Sequence, residues 1–241
     1  MLRIESIAFI CREIEETARK SEMYLQNLIS SRIKDLQELK TVCDRCLNSQ
    51  RWSGNVSLMI LDAAFTSVGV NYFQVVVAKV KAFEAEFVKT GRISSLSCLA
   101  HFDYKEAFHI WKNSRSWNVV KEIAKYFSEL SNNDKESLRT WAKNSSLADW
   151  KNDPIGKIKG VGLVTYQYLR MMGGIDTVMP DKVVKKVINE ILTKAGKMTV
   201  YDDMEFIREV ETLANKTGYR PIELCFMAWF TENSEKIEQM P

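Results

Sequence analysis

Apolar side chains recur every three or four residues along most of the chain, the spacing that places them on one face of an α-helix. The first such stretch, 4–40, predicts one long helix or two shorter ones. A short helix is expected from Asp103, and the remaining predicted helices cover 56–67, 71–88, 115–129, 134–143, 162–172, 180–193, 202–216 and 221–236. The pattern therefore predicts an all-α protein of ten or more short helices.

Helix-end signals agree with this pattern. Asn132-Asn133-Asp134 is typical of a cap at a helix start, and Gly173-Gly174 is typical of a helix end. Pro180-Asp181 precedes a segment whose apolar and lysine-rich faces separate cleanly, and Pro221 suits a first helical turn. These signals divide the second half of the chain into helices joined by short connections.

Composition supports helices and a globular chain. The 241 residues are 46% hydrophobic and 27% charged, with only 4 Pro and 10 Gly, fewer turn residues than a sandwich or barrel needs. No apolar run approaches the roughly 20 residues that span a bilayer, and Met1–Ser6 lacks the layout of a signal peptide. We therefore expect a cytoplasmic protein without membrane contact.

The cysteines do not predict a metal site. Cys43 and Cys46 have metal-ligand spacing, but no second pair accompanies them, and His101 and His109 are the only histidines. The odd total does not indicate a disulfide framework. We expect Cys43 and Cys46 to be two thiols on a helix surface. The five cysteines are Cys11, Cys43, Cys46, Cys98 and Cys225.

Basic residues concentrate in one stretch. Residues 151–197 hold nine Lys or Arg against four Asp or Glu, whereas the whole chain carries a net charge of only +3. A local surplus of this kind is expected where a protein touches a polyanion, and it also fits a solvated lysine-rich face.

The most informative segment is the glycine turn Gly160-Val161-Gly162, which lies between one helical turn and a longer helix. Glycine permits a positive φ and lets another molecule approach the backbone closely. Amides at the start of the following helix then point outward beside a positive dipole end, an arrangement that binds phosphate without side chains. A plain tight turn between two helices is the alternative for this triplet taken alone.

The context of this turn resembles the helix-hairpin-helix DNA glycosylases, the superfamily of endonuclease III and of the 3-methyladenine and 8-oxoguanine glycosylases. Asp181 falls where that family places its essential aspartate, Ile60-Leu61-Asp62-Ala63-Ala64 resembles its first core helix, and Pro221 to Trp229 resembles a C-terminal helix of several members. The resemblance covers about 55–230. The residues that match the hairpin motif are Ile155, Ile158, Gly160, Val161, Gly162 and Thr165.

The resemblance implies a two-lobed all-α fold with the active site in the cleft between the lobes. One lobe, 56–190, would carry the hairpin and Asp181, and 1–55 with 191–241 would form the second. Asp181 would stabilise an oxocarbenium-like transition state and position water. The residues expected to bind the DNA backbone are Lys159, Gly160, Val161, Gly162, Leu163, Thr165 and Lys182.

Val164 stands where bifunctional members carry a Schiff-base lysine, so the resemblance implies a monofunctional enzyme. The cysteines of the iron–sulfur branch are missing, and no cofactor is expected beyond a monovalent cation at the hairpin backbone. Lys159 replaces the motif's usual proline. The expected partner is duplex DNA with a damaged base, bound by a monomer associated with the nucleoid.

The flipped base would need an aromatic pocket, and Ala64 or Phe65 stands near the residue that fills the vacated stack in some members. The pattern of Leu224 and Trp229 favours an oxidised purine such as 8-oxoguanine, with alkylated purines second. Candidates for the base pocket are Trp52, Phe65, Asn71, Tyr72, Trp229 and Phe230.

Two other functions remain open. A DNA-binding module without catalysis would use Gly160 and Gly162 and be indifferent to Asp181. A helical protein-interaction scaffold would use the turn only to join helices and would show no salt-dependent affinity for duplex DNA.

Overall fold

The computed structural model describes residues 16, 20–232, 240 and 241. These residues contain eleven α-helices and no strand, so the all-α prediction is confirmed. The predicted helical residues 4–15, 17–19 and 233–236 lie outside the described part. The helices are α1 (20–30), α2 (Leu36–Leu47), α3 (Val56–Thr66), α4 (Val77–Phe83), α5 (Leu96–His101), α6 (Ser114–Leu130), α7 (Asp134–Asn144), α8 (Leu163–Met172), α9 (Lys182–Lys194), α10 (Asp203–Thr217) and α11 (Pro221–Glu232).

Most helix starts are fixed by a polar cap. Asn133 caps α7 by accepting the amide of Glu136, and five other helices of more than ten residues begin in the same way. At α8 the capping position is Gly162, which has no side chain to accept a hydrogen bond. The first-turn amides of α8 are therefore left without a capping side chain.

The structure departs from the sequence prediction at three places. The stretch 4–40 is divided at 31–35, as the alternative of two helices allowed, and the departure is that α2 continues to Leu47. The predicted helix 71–88 is one run in which π-helical turns, Tyr72–Val76 and Glu84–Val88, flank α4. The six-residue α5 was missed because it is too short to show a helical period.

Helix α3 is the centre of the molecule. Ten consecutive residues, Val56–Phe65, are buried, because the helix is apolar apart from Ser57 and Asp62 and is surrounded by others, including α6 and α8. α11 is likewise buried over most of its length and packs against α2, α9 and α10. One continuous cluster of buried side chains joins these elements.

The expectation of surface thiols at Cys43 and Cys46 is wrong. Both side chains are fully buried, because they share the inward face of α2 with Leu39 and Val42, and α2 packs against α11. Burial raises the pKa of the Cys46 thiol to about 12, which keeps it neutral. Cys11 lies outside the described residues.

Candidate active site

Asp181 caps α9. Its Oδ1 accepts the amide of Val184 at 2.8 Å, and its Oδ2 accepts the indole N–H of Trp229 at 2.5 Å. The predicted helix start is confirmed here, and the tryptophan contact adds a partner from α11, 48 residues later in the chain. Both carboxyl oxygens are therefore held in one orientation.

Burial raises the pKa of Asp181 above its usual range, and the hydrogen bonds from Val184 and Trp229 oppose this only in part. Burial also raises the pKa of the Cys225 thiol on α11, and the charge of Asp181 adds to that effect. Asp181 is thus a partly desolvated carboxyl group, the environment in which acid–base groups are tuned in enzymes.

Asp181 lines a cavity of about 430 Å³, which we call the carboxylate cavity. Tyr72 and Trp229 form an aromatic wall, with ring centroids 5.0 Å apart and planes inclined by 30°. The volume lies in the range of small-molecule pockets. The complete lining is Thr66, Ser67, Gly69, Val70, Asn71, Tyr72, Phe73, Val164, Pro180, Asp181, Lys182, Val183 and Trp229.

The two glycines of the hairpin turn have different structural roles. Gly160 has φ +111°, and a Cβ atom there would lie 2.8 Å from Val119 Cγ2, so the fold itself requires glycine. Gly162 has φ −108°, and a Cβ atom there would meet nothing within 4 Å. No contact with the part of the chain that the structure describes explains the glycine at 162, whereas close approach of another molecule would.

The hairpin opens onto a second cavity of about 470 Å³, which we call the hairpin cavity. The hydroxyl oxygen of Thr165, in the first turn of α8, is buried there and has no hydrogen-bond partner among the described residues. The start of α8 therefore presents first-turn amides without a capping side chain and a hydroxyl group without a partner among the described residues. The lining is Ser67, Val68, Asn113, Arg115, Ser116, Val119, Gly160, Val161, Gly162, Leu163, Val164, Thr165 and Asp203.

The two cavities are neighbours. Both are lined by Ser67, from the loop after α3, and by Val164, from the first turn of α8. The hairpin and Asp181 thus lie on the two sides of one surface region, with the loop 67–71 between them. Val68 and Val70 of this loop are 42% and 39% exposed.

The six candidates for the base pocket do not share one place. Asn71, Tyr72 and Trp229 line the carboxylate cavity. Phe65 and Ala64 are buried in the core, where Phe65 stacks on Trp111 at 4.4 Å between centroids. Two more lie elsewhere: Trp52 donates its indole N–H to Asp62, and Phe230 lines a separate cavity of about 410 Å³ beside Lys34 and Lys194.

The loop 67–71 supplies four of the residues around the carboxylate cavity, and sequence reasoning named only Asn71 and missed Ser67, Gly69 and Val70. Gly69, with φ +78°, was the available signal, since a glycine between two apolar helical segments marks a turn. That this turn meets the hairpin was not readable, because the two segments lie about ninety residues apart.

Positive charge borders the site. Lys159 is exposed on the hairpin, Lys182 is exposed at the rim of the carboxylate cavity, and Arg115 lines the hairpin cavity. Asp203 also lines the hairpin cavity, and its carboxylate is paired with Lys185. Among the described residues, no group of three His, Cys, Asp or Glu side chains is placed to hold a metal ion.

Most of the chain matches one protein family. The family described as "Domain of unknown function (DUF8548)" matches residues 30–233, which include both cavities and every element from α2 to α11. The chain belongs to this family. No curated protein and no solved structure matches it. Within the described residues of this DUF8548 protein, no helix has the length and apolarity to cross a bilayer.

Proposed function

We propose that this protein is a base-excision DNA glycosylase that flips a damaged base and hydrolyses its N-glycosidic bond. The observation that carries the proposal is the position of Asp181. Its partly buried, oriented carboxyl group lines a cavity of about 430 Å³ that adjoins the glycine hairpin. The proposed fold is two-lobed, with 56–190 facing the two terminal segments across the site and with shared core packing beneath it.

The chemistry follows from the carboxylate. Cleavage of an N-glycosidic bond develops positive charge on the deoxyribose, and a fixed carboxylate beside the sugar stabilises it. Asp181 would also orient the attacking water, since its raised pKa makes it a better proton acceptor than a free aspartate. The hydrogen bonds from Val184 and Trp229 fix the orientation of the Asp181 carboxylate, so it needs to move little during the reaction.

The hairpin would hold the DNA backbone. Unpaired amides at the start of α8 and the open space at Gly162 suit a phosphate oxygen, and Lys159, Lys182 and Arg115 add Coulomb attraction. The unpaired Thr165 hydroxyl is an oxygen ligand of the kind that a monovalent cation prefers. A cation held there with hairpin carbonyl groups would add positive charge beside the phosphate.

The base would enter the carboxylate cavity against the aromatic wall of Tyr72 and Trp229. Ala64 and Phe65 cannot fill the vacated stack without unfolding α3, because both are fully buried. We assign that role to the loop 67–71, whose exposed Val68 and Val70 can wedge between base pairs as apolar side chains do in other proteins that distort DNA.

The proposed reaction is monofunctional. Val164 lines both cavities, and no amine is available at that position to attack the sugar. Reduction with borohydride during the reaction should therefore trap no covalent complex with damaged DNA. A trapped complex would place the nucleophile on Lys159 or Lys182, the lysines beside the site.

The direct test is incubation of the protein with a panel of duplexes that each carry one lesion, scored by alkali-sensitive strand breaks. We expect breaks at one lesion class, with oxidised purines first and alkylated purines second. The matched control is the same duplex without the lesion. Absence of breaks across oxidised, alkylated and deaminated bases would overturn the proposal.

A DNA-binding module without catalysis is the second candidate. The observation in its favour is that both oxygens of Asp181 already have structural partners, as a helix cap and as the acceptor of Trp229. Such a module would bind duplexes with and without a lesion equally and release no base.

A further inference from the structure

A buried polar cluster lies behind the carboxylate cavity. The Oδ2 atom of Asp62, on α3, accepts hydrogen bonds from four donors. Asp62 and Arg51 form an ion pair at 3.0 Å, and both side chains are at most 1% exposed. Burial raises the pKa of Tyr72 and Tyr168, so both hydroxyl groups stay protonated and can donate. The donors are Arg51, Trp52, Tyr72 and Tyr168.

The chain is strained where it supplies two of these donors. Ser49, Trp52 and Ser53 have φ values of 53°, 51° and 54°, in the left-handed region that non-glycine residues rarely adopt. The strained loop brings Arg51 and Trp52 onto the same oxygen of Asp62. Buried ion pairs contribute little to stability compared with apolar packing, and strain of this kind concentrates at functional sites. The strained loop and the buried ion pair together favour a role for the cluster other than stability.

The cluster is joined to Asp181 by aromatic contacts. Trp229 packs against Tyr72 with 5.0 Å between centroids and meets the edge of Tyr168 at 6.0 Å. The hydroxyl groups of both tyrosines are fixed by Asp62, and the indole N–H of Trp229 donates to Asp181. The cluster thus orients the indole ring through the two tyrosines, and the oriented indole N–H in turn holds the carboxylate of Asp181.

We propose that Tyr72 and Trp229 are positioning residues, through which the buried Asp62–Arg51 cluster holds the carboxylate of Asp181 in its reactive orientation. That this orientation serves catalysis rests on the proposed glycosylase function. The coupling between the cluster and the carboxylate, however, is a property of the protein alone and can be measured without DNA. Tyr72 has a double role, since its ring also lines the cavity that would receive the base.

Two substitutions isolate the coupling. Tyr72→Phe keeps the ring and removes the hydroxyl that Asp62 fixes, and Trp229→Phe removes the N–H that holds Asp181. Matched controls exist for both. Tyr24 is 50% exposed and lines none of the three cavities, which suits Tyr24→Phe. The indole nitrogen of Trp111 is buried without a partner among the described residues, so Trp111→Phe removes no hydrogen bond.

The first readout is the indole N–H signal of Trp229 in the full-length protein labelled with ¹⁵N-tryptophan, followed through pH. This signal should titrate with Asp181 and lose that titration in Asp181→Asn. Tyr72→Phe should raise the midpoint by roughly half a pH unit, because a looser indole stabilises the carboxylate less well. Near Asp181 the other titratable groups are Lys182, the Tyr72 hydroxyl and the Cys225 thiol, and burial raises the pKa of the last two so that both stay neutral in this range.

The second readout is single-turnover base release. Tyr72→Phe and Trp229→Phe should each slow release by roughly tenfold while duplex affinity stays within about twofold. Tyr24→Phe and Trp111→Phe should match the wild type in both readouts. Thermal melting shows whether each variant folds. If Trp229→Phe does not fold, Tyr72→Phe alone tests the positioning role.

The outcomes separate the two proposals. If Tyr72→Phe leaves the Trp229 midpoint where Tyr24→Phe leaves it, the positioning inference is overturned, whatever happens to activity. If the wild type releases no base but the midpoint moves, the coupling stands and the glycosylase function fails. If release is present and unchanged in Tyr72→Phe, the function stands and the positioning role is wrong.

Discussion

Asp181 has a structural role as a helix cap, and the proposed function gives it a chemical role at the same position. As the cap of α9 it stabilises a helix start, and as a partly desolvated carboxyl group it is costlier to ionise than a free aspartate. The second property is what a catalytic carboxylate needs, because a raised pKa strengthens proton acceptance. The residue is therefore expected to lower the stability of the protein at neutral pH relative to an uncharged cap.

The pH dependence of stability tests this expectation. The folded-state pKa of Asp181 lies above its usual value of 3.8, so the folded protein binds this proton more tightly than the unfolded chain. Stability from this group is full below pH 3.8 and is lost as pH rises through the raised pKa. The Tm of the wild type should therefore fall relative to that of Asp181→Asn over this window and then stay level. Melting curves of both proteins that run parallel across the window would contradict the pKa shift.

The sequence was sufficient to predict that Asp181 begins a helix, because the proline, the aspartate and the apolar period that follows are local. It could not predict that the indole of Trp229 donates to the same side chain. A contact across 48 residues leaves no periodic trace in one sequence. Phe65 illustrates the converse, since an aromatic residue at helical spacing has the same local pattern whether it lines a cavity or fills the core.

The hairpin is an element whose two glycines should respond differently to the same change. Gly160→Ala should destabilise the protein by about 1–3 kcal/mol, because φ is positive there and the new methyl group would meet Val119. Gly162→Ala should leave the Tm nearly unchanged, because its backbone is unstrained and its surroundings are open. Thermal melting of the two variants measures this contrast.

Duplex binding then separates the roles of the hairpin. If the hairpin holds phosphate, Gly162→Ala should weaken binding by roughly tenfold despite its stable fold, because a methyl group would occupy the space of the ligand. Gly196→Ala is the comparison for duplex binding, because Gly196 also has open surroundings but lies outside both cavities. Its φ of +70° distinguishes it from Gly162. Wild-type affinity in Gly162→Ala would identify the segment as a plain turn.

Helix-scale prediction succeeded where an element was long and its ends were marked. Helices α6, α7 and α10 begin within one residue of their predicted starts, and each has a side-chain cap. α5 was missed because six residues are too few for a period. Of the loop 67–71 only Asn71 was predicted, because the importance of the loop depends on the hairpin it meets.

The whole chain has a net charge of only +3, but cations lie around the site: Arg115 lines the hairpin cavity, Lys182 lines the carboxylate cavity and Lys159 is exposed on the hairpin. Duplex affinity should fall steeply with salt, and Lys159→Ala should reduce the slope of log K against log salt by roughly one, since each phosphate contact releases about one counterion. Lys216→Ala, at an exposed lysine of α10 that lines neither cavity, is the control. Equal slopes for Lys159→Ala and the wild type would remove Lys159 from the interface.

The central claim is that an oriented carboxylate beside a phosphate-binding hairpin cleaves the glycosidic bond. The most direct measurement compares wild type and Asp181→Asn on the lesion duplex that the wild type processes, recording both duplex affinity and single-turnover base release. Asparagine caps helices about as well as aspartate, so the variant keeps the fold and removes the charge. We predict unchanged affinity and a loss of release of at least roughly a hundredfold. Release at the wild-type rate by Asp181→Asn would contradict the account.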